Sequence, residues 1–386
     1  MQRQTHSAPE RETLLHHEPE PARRGATQAT SAGTKRFAGR FRGDLADFRR
    51  ELPRKLSVSA LGIGTYLGDC TEEDDRHYRE SVHAALVGGI NVIDTASNYR
   101  CQRSERSVGL ALTEAVAAGD VRRDEVVVCT KGGYVALDGE PPASREAYDA
   151  WMQRTLFDPG ILTPEQLARN GHSLAPDFLA HQLAQSRANL GLKTVDLYYL
   201  HNPEEQLLGS DRETFLATMR RAITFLEERA SAGDIVGYGC ATWLGLRVAP
   251  DHKQHVSLGD LVSIARDIAG AAHHFRAIQL PLGLAMPEGA RVPTQPLGRK
   301  LVTVLEAADA LGLGVIASAP LMQGRLTAGL PAGVHELFPE CSTDAQRALR
   351  FASSMPAVVT VLAGMRSAAH VRQNVNAWSA TAQGSI

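Results

Sequence analysis

The sequence predicts a (β/α)8 barrel, and two observations carry that prediction. From about residue 55 onward, short β-branched or aromatic apolar runs alternate with amphipathic stretches of helical spacing, eight times over. Such alternation implies parallel pairing with right-handed crossovers, and eight rounds close a barrel rather than extend an open sheet. The second observation is that polar side chains stand just past several of the apolar runs. In a parallel barrel those positions form the C-terminal mouth, where catalysis sits.

The segments follow in order. Residues 1–50 are rich in Arg, Glu, Pro, Ser, Thr and Gly and have almost no apolar periodicity, so they are read as a disordered N-terminal tail. They hold no hydrophobic segment of the kind that directs secretion. Residues 51–386 are assigned to the barrel. Strands are expected at 60–65, 91–94, 126–130, 195–200, 236–241, 277–280, 314–318 and 358–363. Helical spacing is plain at 75–87 and 214–229, and Gly88, Gly89, Gly191 and Gly233 stand where a helix C-terminus favours glycine. Two segments break the rhythm. Residues 132–175 form an inserted βα loop after the third strand, with Pro141, Pro142, Tyr134, Tyr148, Trp151 and Phe157. It starts at the mouth and is expected to shape a substrate pocket, while its aromatic residues also suit a small core of its own. Residues 281–296, after the sixth strand, are rich in proline and glycine.

Composition narrows the function. The formal net charge is −2 and no long basic run is present, which argues against a general nucleic-acid binder. No apolar stretch reaches the ~18 residues of a membrane span. The five cysteines are scattered without C-x-x-C spacing, which fits a reducing cytoplasm and offers no metal motif.

Four residues at strand ends carry the chemistry: Asp94 and Tyr99 in N-V-I-D-T-A-S-N-Y, Lys131 in V-V-V-C-T-K-G-G, and His201 in L-Y-Y-L-H-N-P. Singly, each has an ordinary structural role: a cap, a packing ring, a solvated cation, a core imidazole. Together they make a kit for protonating a carbonyl oxygen. A nearby ammonium stabilises a phenolate, so Lys131 is expected to acidify Tyr99. Asp94 would anchor Lys131, and His201 would polarise and orient the carbonyl. Hydride must come from a cofactor, because no side chain carries it.

At these residues the chain resembles the aldo-keto reductase superfamily, over roughly residues 56–380. The family's Asp, Tyr, Lys and His tetrad maps onto Asp94, Tyr99, Lys131 and His201 with every identity kept. The resemblance implies NADPH bound across the mouth without a Rossmann fold. Gly64, Thr65 and Tyr66 resemble the segment beside the nicotinamide. Thr242 and Gln279 would hold the carboxamide, although the family's Ser-Asn pair is Ala241-Thr242 here. Ser318 stands where a stacking aromatic is usual, followed by Pro320, Leu321 and Gly324. The end of the chain, L-A-G-M-R-S-A-A-H-V-R-Q-N, resembles the adenosine-phosphate grip. There Gly364, Arg366, Ser367 and Asn374 carry over, while His370 and Gln373 replace the common Gln and Glu. Arg366 is the choice for the 2′-phosphate. Histidine rather than glutamate at position 201 favours a carbonyl substrate over a carbon–carbon double bond. The chain ends soon after its last helix, without the long C-terminal loop of many relatives, which throws specificity onto residues 132–175. The implied activity is NADPH-dependent reduction of an aldehyde or ketone to an alcohol, by a chain whose oligomeric state stays open. The alternative is a cofactor-binding regulatory subunit with little turnover.

Overall fold

The computed structural model describes residues 26–379, apart from positions 42, 44, 46 and 54. Among these, eight parallel strands close a barrel in sequence order. They are β1 (Leu61–Gly64), β2 (Val92–Asp94), β3 (Val127–Gly132), β4 (Val195–His201), β5 (Ile235–Ala241), β6 (Phe275–Pro281), β7 (Gly314–Ser318) and β8 (Val358–Gly364). Each strand is followed by a helix on the outside. These are α1 (Glu72–Val87), α2 (Arg103–Ala117), α3 (Pro176–Leu190), α4 (Arg212–Ala232), α5 (Leu258–Ala269), α6 (Val304–Leu311), α7 (Asp344–Ser353) and α8 (Ala368–Val375). Side-chain oxygens of Thr71, Asp211, Ser257, Thr303, Thr343 and Ser367 cap six of the helices, satisfying N–H groups that the helix itself leaves unpaired. No helix among the described residues is long and apolar enough to cross a membrane.

Alternating strand residues divide into two cores. Outward-facing Ile63, Ile93, Val128, Tyr198, Cys240, Ile278 and Val315 pack under the helices. Inward-facing Val92, Val127, Leu197, Tyr199, Ala277, Ile316 and Leu362 fill the barrel, and Leu52, Leu56 and Val58 close its floor. Those three belong to a short antiparallel hairpin, Arg49–Leu52 with Leu56–Ser59.

The tail reading needs correction for part of its length. Residues 1–25 lie outside the described residues, but the segment from Ser31 to Gly39 is a helix docked against the hairpin strand Leu56–Ser59 and the turn Arg123–Glu125 that leads into β3. Thr30 Oγ1 accepts from Gly33 N at 2.9 Å to cap it. Ala29 N donates to Asp196 Oδ1 at 2.7 Å, and Arg36 pairs with Asp124 at 2.6 Å and Glu125 at 2.8 Å. Phe37 is fully buried, and Phe48 meets Trp378 at 5.4 Å. Gly33 permits the close approach, since a Cβ there would stand 2.1 Å from the Asp124 carbonyl oxygen. Periodicity misses this helix because one aromatic side chain anchors nine residues, the other eight being polar, Ala or Gly.

The insertion divides as its composition suggested. Its distal part, with the helix Arg145–Met152, makes a separate small core of Met152, Leu156, Leu162 and Phe178, with Tyr148, Trp151 and Phe157 against it. Its two ends, Tyr134 and His172, return to the mouth and meet edge to face at 4.9 Å.

Phe37→Ala should cost about 3 kcal/mol or more, the usual loss for a buried Phe. Urea denaturation of the full chain measures this, and a loss below ~0.5 kcal/mol, as at a surface site, would mean that the helix contributes little to the domain.

Candidate active site

The strand register brings the four chemical residues together. Asp94 is the last residue of β2, His201 the last of β4, and Lys131 lies one residue before the end of β3. The turn from Thr95 to Tyr99 is laced back onto β3. Thr95 N donates to Cys129 O at 2.9 Å, and Ser97 donates to Lys131 O through its N–H at 3.3 Å and its hydroxyl at 3.1 Å. Asp94 is therefore no helix cap, and Tyr99 is held by backbone rather than by chance packing.

Lys131 Nζ donates to Asp94 Oδ2 at 2.6 Å, to Thr95 O at 2.9 Å and to Tyr99 Oη at 3.2 Å. The side chain is buried, so its charge depends on these three acceptors. Gln279 Nε2 donates to Asp94 Oδ1 at 2.8 Å, which occupies both carboxylate oxygens. Tyr99 also meets Tyr66 at 5.1 Å and His201 at 5.9 Å, both edge to face.

The expected acidification of Tyr99 is reversed in its net direction. Burial raises the phenol, the Lys131 ammonium pulls it back, and the outcome lies above the ordinary tyrosine value. Lys131 itself is lowered by burial but more than restored by Asp94 and Tyr99, so it stays charged. Tyr99 thus rests as a neutral phenol beside a permanent cation. His201 is held well below its ordinary value by burial, then by Lys131 and His172, so the imidazole is neutral. His172 is likewise driven down to about 4 by burial. Its Nε2 donates to His201 O at 2.7 Å, and Gln206 Nε2 donates to its Nδ1 at 2.7 Å, which fixes the tautomer. Gly133 makes room for that contact at φ +141°, where a Cβ would stand 2.9 Å from the His172 ring.

These groups open into a cavity of about 940 Å³ that runs from Tyr134 across the mouth to α8. Of the residues expected from the resemblance, Gly64, Thr65, Tyr66, Thr242, Gln279, Ser318, Pro320, Leu321, Gly324, Gly364, His370, Gln373 and Asn374 line it. Two do not. Arg366 is drawn to Asp74 at 2.5 Å and towards Glu73 at 3.7 Å, and Ser367 uses its hydroxyl to cap α8. Within the cavity wall, Thr242 Oγ1 and Asn374 Oδ1 are buried without a hydrogen-bond partner. Buried polar atoms in that state want one. One lies near the tetrad end and the other on α8, so the wall fits an elongated polar ligand such as a dinucleotide.

Sequence reasoning missed several lining residues. Asn98 and Asn202 face the cavity, and Asn202 Nδ2 donates to Tyr134 Oη at 3.1 Å. The signal for Asn202 was available: an Asn between a strand end and a Pro suits the left-handed conformation, and its φ is 46°. Glu204 was also missed. Its buried Oε1 accepts from the N–H groups of Trp243 at 2.7 Å, Leu244 at 2.9 Å and Gly245 at 3.2 Å. It thereby ties the His201 loop to the loop carrying Trp243, a half-exposed cavity residue.

Glu204→Gln keeps an accepting oxygen and should preserve that tie, whereas Glu204→Ala leaves three N–H groups unmet at a cost of about 1–3 kcal/mol. Thermal unfolding together with the emission of Trp243 checks this. Equal behaviour of the two variants would remove Glu204 from the role.

Comparison with known proteins agrees with this geometry. The aldo/keto reductase family matches residues 60–249. The chain is 28% identical over 213 residues to the NADH-specific methylglyoxal reductase of Escherichia coli, covering 53% of this chain and 54% of that protein. The match therefore spans about half the length of that relative. It is 27% identical over 278 residues to the D-threo-aldose 1-dehydrogenase of a Pseudomonas species, covering 71% and 72% of the two chains. An aldo/keto reductase from Klebsiella pneumoniae, solved with NADP and acetate, aligns at a TM-score of 0.56 and 19% identity over 86% of this chain and 89% of that one. The last comparison speaks to the fold alone. The family match, the relatives and the closed barrel all indicate the aldo-keto reductase superfamily.

Proposed function

We propose that the protein reduces a small aldehyde or ketone to an alcohol with a nicotinamide dinucleotide. The observation that carries this reading is the Lys131 ammonium, buried between the Asp94 carboxylate and the Tyr99 phenol at the wall of a cavity long enough for such a cofactor. Thr242, Ser318 and Gln279 would hold the nicotinamide end, and Gly364, His370, Gln373 and Asn374 the adenosine end. A reduced nicotinamide bound there supplies the hydride for the carbonyl carbon. Tyr99 donates its proton to the carbonyl oxygen as negative charge develops. Lys131 stabilises the phenolate left behind, and Asp94 keeps Lys131 in place. Neutral His201 offers a hydrogen bond to the same oxygen and orients it. Tyr66 and Trp243 supply the exposed aromatic surfaces beside the site, a role Ser318 cannot fill.

For the adenosine end we propose NADPH, with a small margin over NADH. Arg366 suits a 2′-phosphate, but that phosphate must compete with the Asp74 carboxylate for it. The NADH-specific relative from Escherichia coli is compatible with a narrow margin.

Three outcomes are expected. Tyr99→Phe should lower kcat by about 10²–10⁴-fold, the range for losing a general acid, while the dissociation constant for the cofactor, measured by fluorescence, changes little. Near-normal turnover would remove Tyr99 from its role. Asp74→Asn should tighten NADPH by roughly fivefold, about the worth of a charge pair whose Arg366 end is half-exposed, and leave NADH nearly unchanged. Equal shifts for both cofactors would place the phosphate away from Arg366. In a pH series, kcat for reduction should stay flat near neutrality and fall only above about pH 10, because Tyr99 titrates above its ordinary value. A limb near pH 6.5, the ordinary histidine value, would mean that His201 titrates in the working range, against its neutral assignment.

A further inference from the structure

The tetrad end of the cavity holds a second phenol, which the chemistry above leaves unused. Tyr134 stands three residues beyond Lys131, where the insertion begins, and lines the cavity. Its place is fixed from several sides. The ring meets His201 at 5.0 Å and His172 at 4.9 Å, both edge to face. Its carbonyl accepts from Gln182 Nε2 at 2.5 Å, and its Oη accepts from Asn202 Nδ2 at 3.1 Å. Burial pushes the phenol up to about 12, so it keeps its proton. With Asn202 donating to the oxygen, that proton is left for a ligand.

Asn98, the residue before Tyr99, lines the same cavity. Its neighbours are tied down, Ser97 by its hydroxyl to Lys131 O at 3.1 Å and Tyr99 by its N–H to Ala96 O at 3.1 Å. Asn98 Oδ1 is shut off from solvent and has no hydrogen-bond partner among the described residues. A buried acceptor in that state wants a donor. For a residue of the cavity wall, the donor has to come from what the cavity holds. The surroundings are aromatic and neutral. Tyr66 is 58% exposed and Trp243 47%, and the Trp243 backbone is clamped at its N–H by Glu204 at 2.7 Å and at its carbonyl by Arg247 at 2.8 Å. Of the cavity residues from β1 to β5 and the loops that follow them, only Asp94 carries a charge, and Lys131 answers it.

We propose, on the reductase reading above, that Tyr134 and Asn98 select the substrate, and that it is an uncharged carbonyl compound with a hydroxyl group on the carbon next to the carbonyl. With the carbonyl oxygen at Tyr99 and His201, a substituent on the neighbouring carbon is the part of the substrate that reaches Tyr134, whose ring lies 5.0 Å from that of His201. A hydroxyl accepts from Tyr134 and donates to Asn98, so it satisfies both. A methyl group satisfies neither. A carboxylate accepts from Tyr134 but gives Asn98 no donor, and it brings a charge to a place where Lys131 is already committed to three acceptors. Tyr66 and Trp243 cover the carbon chain of the substrate with their rings. A site built to bond a hydroxyl rejects the analogue that lacks one, because its own polar groups then stay unpaired.

The test uses the full chain with saturating NADPH and three two-carbon aldehydes that differ only at the carbon next to the carbonyl: acetaldehyde, glycolaldehyde and glyoxylate. The wild-type kcat/KM for glycolaldehyde should exceed that for acetaldehyde by roughly tenfold, the worth of one or two neutral hydrogen bonds, and should exceed that for glyoxylate as well. Tyr134→Phe and Asn98→Leu should each cut the ratio of glycolaldehyde to acetaldehyde by about threefold or more. Because it is a ratio, any loss common to both aldehydes cancels. A wild-type ratio near one, a higher kcat/KM for glyoxylate than for glycolaldehyde, or a ratio that either substitution leaves unmoved would overturn the proposal and leave the reductase reading standing. Turnover of none of the three aldehydes would overturn both.

Discussion

The site is organised around one buried cation. Lys131 has given up water entirely, and a charge in that position is tolerated only when its donors are met. The three acceptors come from the end of β2 and the turn beyond it: a carboxylate, a backbone carbonyl and a phenol. The ammonium therefore also fixes where Tyr99 stands. Gln279 extends the constraint across the barrel, since its donation to Asp94 links β6 to β2. A change at any of these residues leaves a buried polar group without its partner, so the arrangement has little tolerance for substitution.

Electrostatics divides the labour between the two possible proton donors. The low dielectric that strengthens the pull of Lys131 on Tyr99 also penalises the phenolate, and burial prevails. The phenol keeps its proton at rest and is stabilised as an anion only when the proton has somewhere to go. His201 is neutral for related reasons, with burial, Lys131 and His172 all acting against its charged form. One group is thus suited to give up a proton and the other to offer a hydrogen bond. The insertion contributes to this through His172 and Tyr134, near its two ends.

Much of this was legible in the sequence, because period and position encode it. Every barrel strand announced itself as a short apolar run, and the runs ended where Asp94, Lys131 and His201 begin. Glycines at 191 and 233 marked helix ends and do adopt the left-handed conformation there. What escaped were features that depend on contact rather than pattern. The helix from Ser31 to Gly39 is held by a single buried ring and ion pairs to distant residues, so no local period reveals it. Arg366 carried the right chemistry for a phosphate, but its pairing with Asp74 involves a residue nearly three hundred positions away. Glu204 reads as a surface acid until its three backbone donors are seen.

Coupling between Lys131 and Tyr99 is what makes the phenol a proton donor, and titration of the Tyr99 ring measures that coupling directly. With carbon-13 at the ring carbon bearing the hydroxyl, the chemical shift of Tyr99 reports its ionisation in the wild type and in Lys131→Met. The midpoint should lie above the ordinary value of about 10 in the wild type and move higher still when the ammonium is removed. A midpoint at the ordinary value that ignores the substitution would contradict that coupling.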